Sequence, residues 1–199
     1  MKINGRTIAK AKLSDLINLT PEDMAKLTKR ESLTLERRLR EATERRIKTL
    51  DKQGIRSFAF ERYLGGSLPT KANSSDSRQS MQHKIAMYHT FLNAKTSSVA
   101  GVRKVWKEQE ARIFGKNPGF QSEDERKRFW SAYDEFMHQN PRFYYESTRV
   151  QQFLGEMSFW RKKSFTADDL MQLLRKMDDE KLTPGGVDFR ADVGYNPEI

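Results

Sequence analysis

Cysteine is absent from this 199-residue chain, which excludes disulfide staples, thiolate nucleophiles and cysteine-ligated metals. Histidine is scarce. His83, His89 and His138 are the three, and none stands at the H-x-x-x-H or H-E-x-x-H spacing that a helical metal site requires. No stretch approaches the roughly 20 consecutive apolar residues of a membrane span, and Lys10 and Lys12 interrupt any apolar run that would read as a signal peptide. Catalytic signatures are missing as well. There is no phosphate-cradling GxxxxGK[ST], no GxGxxG after a strand and no GxSxG elbow. Asp168, Asp169, Asp178, Asp179 and Glu180 could gather a metal, but helix capping and solvation explain them more cheaply. The expectation is a soluble, non-enzymatic protein with no cofactor of its own, working in a reducing cytoplasm without a membrane.

What the chain does have is positive charge, unevenly placed. Residues 1–115 carry 24 Lys/Arg against 12 Asp/Glu, whereas residues 116–199 carry 13 against 15. The whole formal surplus of +10 therefore lies in the first part. Such a lopsided field suits a protein with two jobs, one of them on a polyanion, and nucleic acid is the leading candidate. Apolar content of 36% and charged content of 32% fit a helical protein with large solvated faces, and 11% aromatics are too many for a chain disordered throughout.

Helix punctuation is frequent. Thr20-Pro21-Glu22-Asp23 reads as a helix start, and Thr28 with Glu31 as a capping box opening a long helix that ends at Gly54. Its apolar residues Leu35, Leu39, Ala42, Ile47 and Leu50 form one narrow stripe, and the remaining surface is charged. A short helix over 57–64 ends at Gly65-Gly66, and 65–78 is a loop. Helices follow over 79–94 and, after a break and recapping at Thr96-Ser97-Ser98, from Val99 to Gly115, although Gly101 weakens the pattern.

The segment 116–120 (KNPGF) breaks the chain where its charge changes. Ser122 to Glu125 reads as a capping box for a helix carrying Phe129, Trp130, Tyr133 and Phe136, stopped by Asn140-Pro141. Aromatics at helical spacing are more often core than a stacking platform for bases. A helix over 143–158 follows, then one capped by Thr166 and carrying Leu170, Leu173, Leu174 and Met177. No run alternates with period two. The fold expectation is all-α, with a basic helical DNA-binding region over 1–115, a smaller helical partner-docking region over 116–182 and a flexible tail over 183–199.

On the long helix, Arg37, Arg38, Arg45 and Arg46 form guanidinium pairs about two turns apart, each able to fork onto phosphate, with Lys48 beside them. Interleaved Glu36, Glu41 and Glu44 can neutralise some of them, Glu41 with Arg45 for instance. Arg103, Lys104 and Lys107 make a second basic patch next to Trp106.

Over residues 44–104, ERRIKTLDKQGIRSFAFERY, a Ser/Gly/Lys loop and FLNAKTSSVAGVRKV resemble the terminal proteins of small double-stranded-DNA phages that replicate by protein priming. The likeness spans about a third of the chain and lies in helix and loop texture, Phe91 to Ser98 being its most distinctive part. It implies a basic helical part that binds DNA and a later part that docks on the phage DNA polymerase. A side-chain hydroxyl then replaces the primer 3′-OH and becomes linked to the 5′ DNA end. The polymerase would supply the metal ions and the dNTP. Tyr195, between Gly194 and Asn196, is the candidate priming hydroxyl; Tyr144, Tyr145, Ser147, Thr148, Ser164 and Thr166 are rivals. Localisation in the host cytoplasm at the nucleoid, and in the virion on DNA ends, would follow. The alternative is a non-covalent DNA- or RNA-binding accessory or regulatory protein, and a third reading is a phage structural or scaffolding protein.

Overall fold

The computed structural model describes residues 1–115, 119–144, 147–161 and 166–179. These residues are overwhelmingly helical, and the fold is all-α. Two compact units divide the chain, Met1–Gln53 with Ser57–Val102, and Gly54–Arg56 with Arg103–Ile199.

The first unit opens with a tiny antiparallel hairpin, β1 (Lys2–Ile3) and β2 (Arg6–Thr7), with Lys2 opposite Thr7 and Ile3 opposite Arg6. Asn4 and Gly5 join the strands with φ of 48° and 78°, the left-handed pair a type I′ turn demands. Strands of two residues are too short to alternate, so the period-two search missed them. Helices α1 (Leu13–Ile17) and α2 (Pro21–Ala25) follow, then the long α3 (Lys29–Lys52), α4 (Phe58–Leu64) and α5 (Arg78–Asn93). A 3-10 turn (Lys95–Ser97) leads into α6 (Val99–Phe114).

The caps explain these boundaries. Thr20 Oγ1 accepts the Asp23 N–H at 3.1 Å, with Pro21 at the first helical position. At α3 the capping box is complete: Thr28 Oγ1 accepts the Glu31 N–H at 3.2 Å and Glu31 Oε2 accepts the Thr28 N–H at 2.9 Å. The N-terminal ammonium also donates to Glu31. These hydrogen bonds, the ammonium first and the Thr28 amide next, hold the Glu31 carboxyl down at about 2. Gly54, at φ 64°, lies just beyond α3 as expected.

Helices α3 and α5 form the main packed pair of this unit. Leu35, Leu39 and Ala42 of α3 are buried with Ile85, Tyr88, Phe91 and Leu92 of α5, and Leu16, Leu19 and Leu27 join the same cluster. Leu35 and Leu39 are each 0% exposed, so each contributes about 1.5–3 kcal/mol of burial. Gly101 is no weakness in α6. A Cβ there would collide with the Lys95 carbonyl oxygen, so glycine is what lets the first turn of α6 lie on the 3-10 turn.

The two units divide within α6, at Val102, earlier than the boundary at 115 that the sequence suggested. Beyond that point α6 is built into the second unit: Trp106, Ile113 and Phe114 are buried, and Glu110 is bonded to the next helix. The second unit continues with α7 (Glu123–Gln139), α8 (Pro141–Tyr144), α9 (Ser147–Arg161) and α10 (Ala167–Asp179). The expected helix over 143–158 is thus represented by α8 and α9. Gly155 of α9 lies so close to α6 that a Cβ would stand 2.7 Å from the Ile113 carbonyl oxygen.

At α7 the expected capping box is only half formed. Ser122 Oγ accepts the Glu125 N–H at 3.1 Å, but the Glu125 carboxylate turns to the Gln121 N–H at 3.2 Å and the Ala167 N–H at 2.7 Å. Glu125 therefore caps the start of α10 and ties it to α7, a better use of the carboxylate because it meets an orphan helix amide. Thr166 and Asp169 form their own reciprocal cap at α10, at 3.3 and 3.1 Å.

Candidate nucleic-acid interface

The basic surplus maps onto the first unit. That unit carries 19 Lys/Arg against 10 Asp/Glu, and the second carries 18 against 17, counted over each unit's full residue ranges. Unit one is therefore +9 and unit two is +1.

Helix α3 sorts its arginines by face. Arg37, Arg45 and Lys48 are exposed, and neither an ion pair nor a hydrogen bond engages their side chains among the described residues. At 100° per residue they share one arc of about 100° with Arg30 and Lys52, both exposed. Two acids, Glu41 and Glu44, lie on the same arc. Glu44 is already engaged by Arg40 at 3.7 Å, and Glu41 forms no ion pair with Arg45. Five cations thus line a stripe from residue 30 to 52, about 33 Å long at 1.5 Å rise per residue. That length is close to one turn of duplex DNA, roughly 34 Å.

Arg38 and Arg46 lie elsewhere, and the sequence did not separate them from their neighbours. Arg38 Nη1 donates to the carbonyl oxygens of Ile8, Ala9 and Ala11 at 3.0, 3.2 and 2.7 Å, pinning the segment before α1 to α3. Arg46 Nη1 donates to Leu92 O and Ser97 Oγ, both at 2.7 Å. Burial pushes the Arg46 guanidinium pKa down. Both groups hold the fold together, and neither belongs to the exposed stripe.

The stretch from Phe91 to Ser98 is a joint. Phe91 and Leu92 are core, Asn93 Nδ2 donates to Ile17 O at 3.0 Å, Ser97 receives Arg46, and Ser98 Oγ accepts the Gly101 N–H at 3.1 Å. Arg45 also edges a shallow cavity of about 210 Å³ shared with Leu13, Thr49 and Val99.

In the second unit, Arg103, Lys104 and Lys107 are exposed on α6. Arg103 and Lys107 border a cleft of about 460 Å³ between α6 and α7, whose wall includes Trp106 and Phe114. Trp106 is only 3% exposed, too little for a base to stack on it. The aromatics of α7 are core: Phe129 and Trp130 are 0% exposed, and Phe129, Trp130 and Tyr133 meet at ring-centroid distances of 4.9–6.0 Å. They form no base-stacking platform. One polar core group escaped the sequence reading. Gln151 takes Arg112 Nη1 at 2.9 Å and donates to the Tyr133 hydroxyl at 3.0 Å, where burial pushes the Tyr133 pKa up.

Of the hydroxyl candidates, Thr166 is used as a cap, Ser147 is half-buried and Thr148 is exposed. Tyr195, Tyr145, Ser164 and the Tyr144 side chain lie outside the described residues. Among the described residues no helix is long and apolar enough to cross a membrane. No protein-family model matches the chain, and no curated protein or solved structure is similar to it.

Proposed function

We propose that this chain is a DNA-binding protein of the phage terminal-protein kind, whose first unit holds DNA phosphates and whose priming hydroxyl, assigned to Tyr195, starts the new strand. One observation carries the DNA-binding half: the surplus of +9 in the first unit, with Arg37, Arg45 and Lys48 unpaired on one face of α3. Unpaired surface cations release condensed counterions when they meet phosphates, which gives affinity without base reading. The exposed cations on α6 supply further contacts of the same type.

The priming half rests on the resemblance over 44–104. In that reaction the hydroxyl oxygen attacks the α-phosphorus of a dNTP, a phosphoester forms, pyrophosphate leaves and the hydroxyl proton passes to solvent. The phage DNA polymerase supplies the metal ions, so the chain contributes a positioned hydroxyl and a DNA-binding surface. The test is nucleotidylation with the phage's own polymerase, Mg²⁺ or Mn²⁺ and α-labelled dNTP. Label that survives a denaturing gel on wild type and disappears in Tyr195→Phe supports both the role and the residue. Label that persists in the variant moves the site to another hydroxyl. Absence of label beside a polymerase active on a primed template removes priming and leaves a non-covalent DNA-binding protein.

A further inference from the structure

Residues 1–12 hold Lys2, Arg6, Lys10 and Lys12 and no acidic residue. All four cations are exposed, and none has an ion pair or a side-chain hydrogen bond among the described residues. The segment gains little from packing, since Ile8 and Ala11 are its only buried side chains. It is nevertheless tied down. The hairpin sets the register of residues 2–7, and the Lys10 and Ala11 N–H groups donate to Thr7 O at 2.9 and 2.8 Å. Asn4 Nδ2 donates to Asp15 Oδ1 at 3.0 Å, and Arg38 Nη1 holds the carbonyl oxygens of Ile8, Ala9 and Ala11.

Arg38 decides where this basic segment lies. At 100° per residue it stands about 20° from Arg45, on the border of the exposed arc of α3. By gripping the backbone there, it lays Lys10 and Lys12 alongside the stripe of Arg30, Arg37, Arg45, Lys48 and Lys52. A guanidinium that would itself widen the stripe is used instead to attach a segment carrying four further cations to its edge. We propose that residues 2–12 are a second DNA contact, in which Lys2, Arg6, Lys10 and Lys12 take phosphates beside those held by α3. A duplex offers a line of phosphates on each strand, so the stripe and the segment can be engaged together. Because the segment is already fixed, little chain ordering opposes binding. This inference rests on the assignment of the α3 stripe to DNA and is independent of the priming reading.

The test is the salt dependence of binding to a duplex of about 30 base pairs, measured on the full chain. Lys2→Gln, Arg6→Gln, Lys10→Gln and Lys12→Gln remove the charges and keep long side chains. Combined, they should make the slope of log Kobs against log[NaCl] shallower by about 3.6, at about 0.9 per phosphate. Lys10→Gln with Lys12→Gln should account for about 1.8 of this. A matched control removes two exposed, unpaired cations elsewhere in the first unit, Lys71→Gln with Lys95→Gln. Lys71 precedes Ala72, whose N–H donates to Glu36 at 3.4 Å, and Lys95 lies in the 3-10 turn held by Arg46. Glu36 and Arg46 are on flanks of α3 turned away from the stripe, so the control should change the slope by less than about 0.5. Circular dichroism confirms that each variant is folded. An unchanged slope in the fourfold variant, while Arg37→Ala, Arg45→Ala and Lys48→Ala reduce it, would overturn the second contact and leave the α3 assignment standing. Equal changes in the two paired variants would also overturn it, because net charge alone would then account for the effect. A wild-type slope near zero would overturn both this inference and the DNA reading beneath it.

Discussion

Arg46 holds the fold and its neighbour Arg45 is proposed to hold DNA, so exchanging each for alanine should separate stability from DNA binding. Arg46 makes two charge-assisted bonds at 2.7 Å, to Leu92 O and Ser97 Oγ, which tie α3 to the end of α5 and to the following 3-10 turn. Such bonds are worth about 1.5–3 kcal/mol each in a protein. Two reductions apply. The group is only half-buried and its charge is already disfavoured by desolvation, and Ser97 Oγ retains Ala94 O at 2.9 Å when Arg46 is gone. The Leu92 carbonyl, by contrast, has outside its own helix only the Ser97 hydroxyl at 3.4 Å, whose one hydrogen is better placed on Ala94 O. Arg46→Ala should therefore destabilise the protein by about 2–3 kcal/mol, and Arg45→Ala by less than about 0.5 kcal/mol, as usual for an exposed side chain. Urea denaturation followed by circular dichroism measures both. Duplex binding against salt should show the converse, with the slope reduced by about 0.9 for Arg45→Ala and unchanged for Arg46→Ala. Equal stability losses for the two variants, or a slope change confined to Arg46→Ala, would refute the division of α3 into a structural and an open face.

Three further outcomes follow from the geometry. Gly101→Ala should destabilise by about 1–3 kcal/mol in the same urea experiment, because the collision with a backbone carbonyl outweighs the roughly 1 kcal/mol that alanine gains in a helix. Glu31 has a carboxyl held at about 2 against an ordinary 4.5, so its contribution to stability is full above 4.5 and is lost as pH falls toward 2. Glu31→Gln should flatten that acid limb in a pH series of denaturation midpoints, and an unchanged limb would show that the capping carboxylate does not set it. Gly155→Ala should destabilise the second unit by about 1–3 kcal/mol, since α9 cannot lie on the Ile113 carbonyl with a methyl group between.

Much of the architecture was legible because its signals are local. Thr20-Pro21, Thr28 with Glu31, Gly65 and Thr166 act within three or four residues of themselves, and each appears where the sequence put it, whereas Ser57, read as the first residue of its helix, is the cap before it. The hairpin was equally local but hidden by its length; the Asn4-Gly5 pair was the signal that would have found it. What the sequence left unresolved depends on distant partners. Arg46 bonds a carbonyl oxygen 46 residues away, and Arg38 reaches back about 30, so neither could be told from Arg45 or Arg37 by composition. The helical wheel was a usable clue for Arg46, which falls within the arc of Leu35, Leu39 and Ala42, but not for Arg38, which lies about 20° from Arg45. Glu125 is similar: its spacing from Ser122 fits a capping box, yet its carboxylate is drawn to the amide of Ala167 in a helix that begins 42 residues later. The cleft, too, arises only when α6 and α7 are folded together.

The most direct test of the central claim is the salt dependence of binding to a duplex of about 30 base pairs, measured by fluorescence anisotropy on the full chain. The expected result is a linear plot of log Kobs against log[NaCl] whose slope is −3 or steeper, at about −0.9 per phosphate neutralised. Combined Arg37→Ala, Arg45→Ala and Lys48→Ala should make that slope shallower by about 2.7 without changing the circular dichroism spectrum. A slope near zero for wild type, or an unchanged slope in the folded triple variant, would contradict the assignment of the α3 stripe to DNA phosphates.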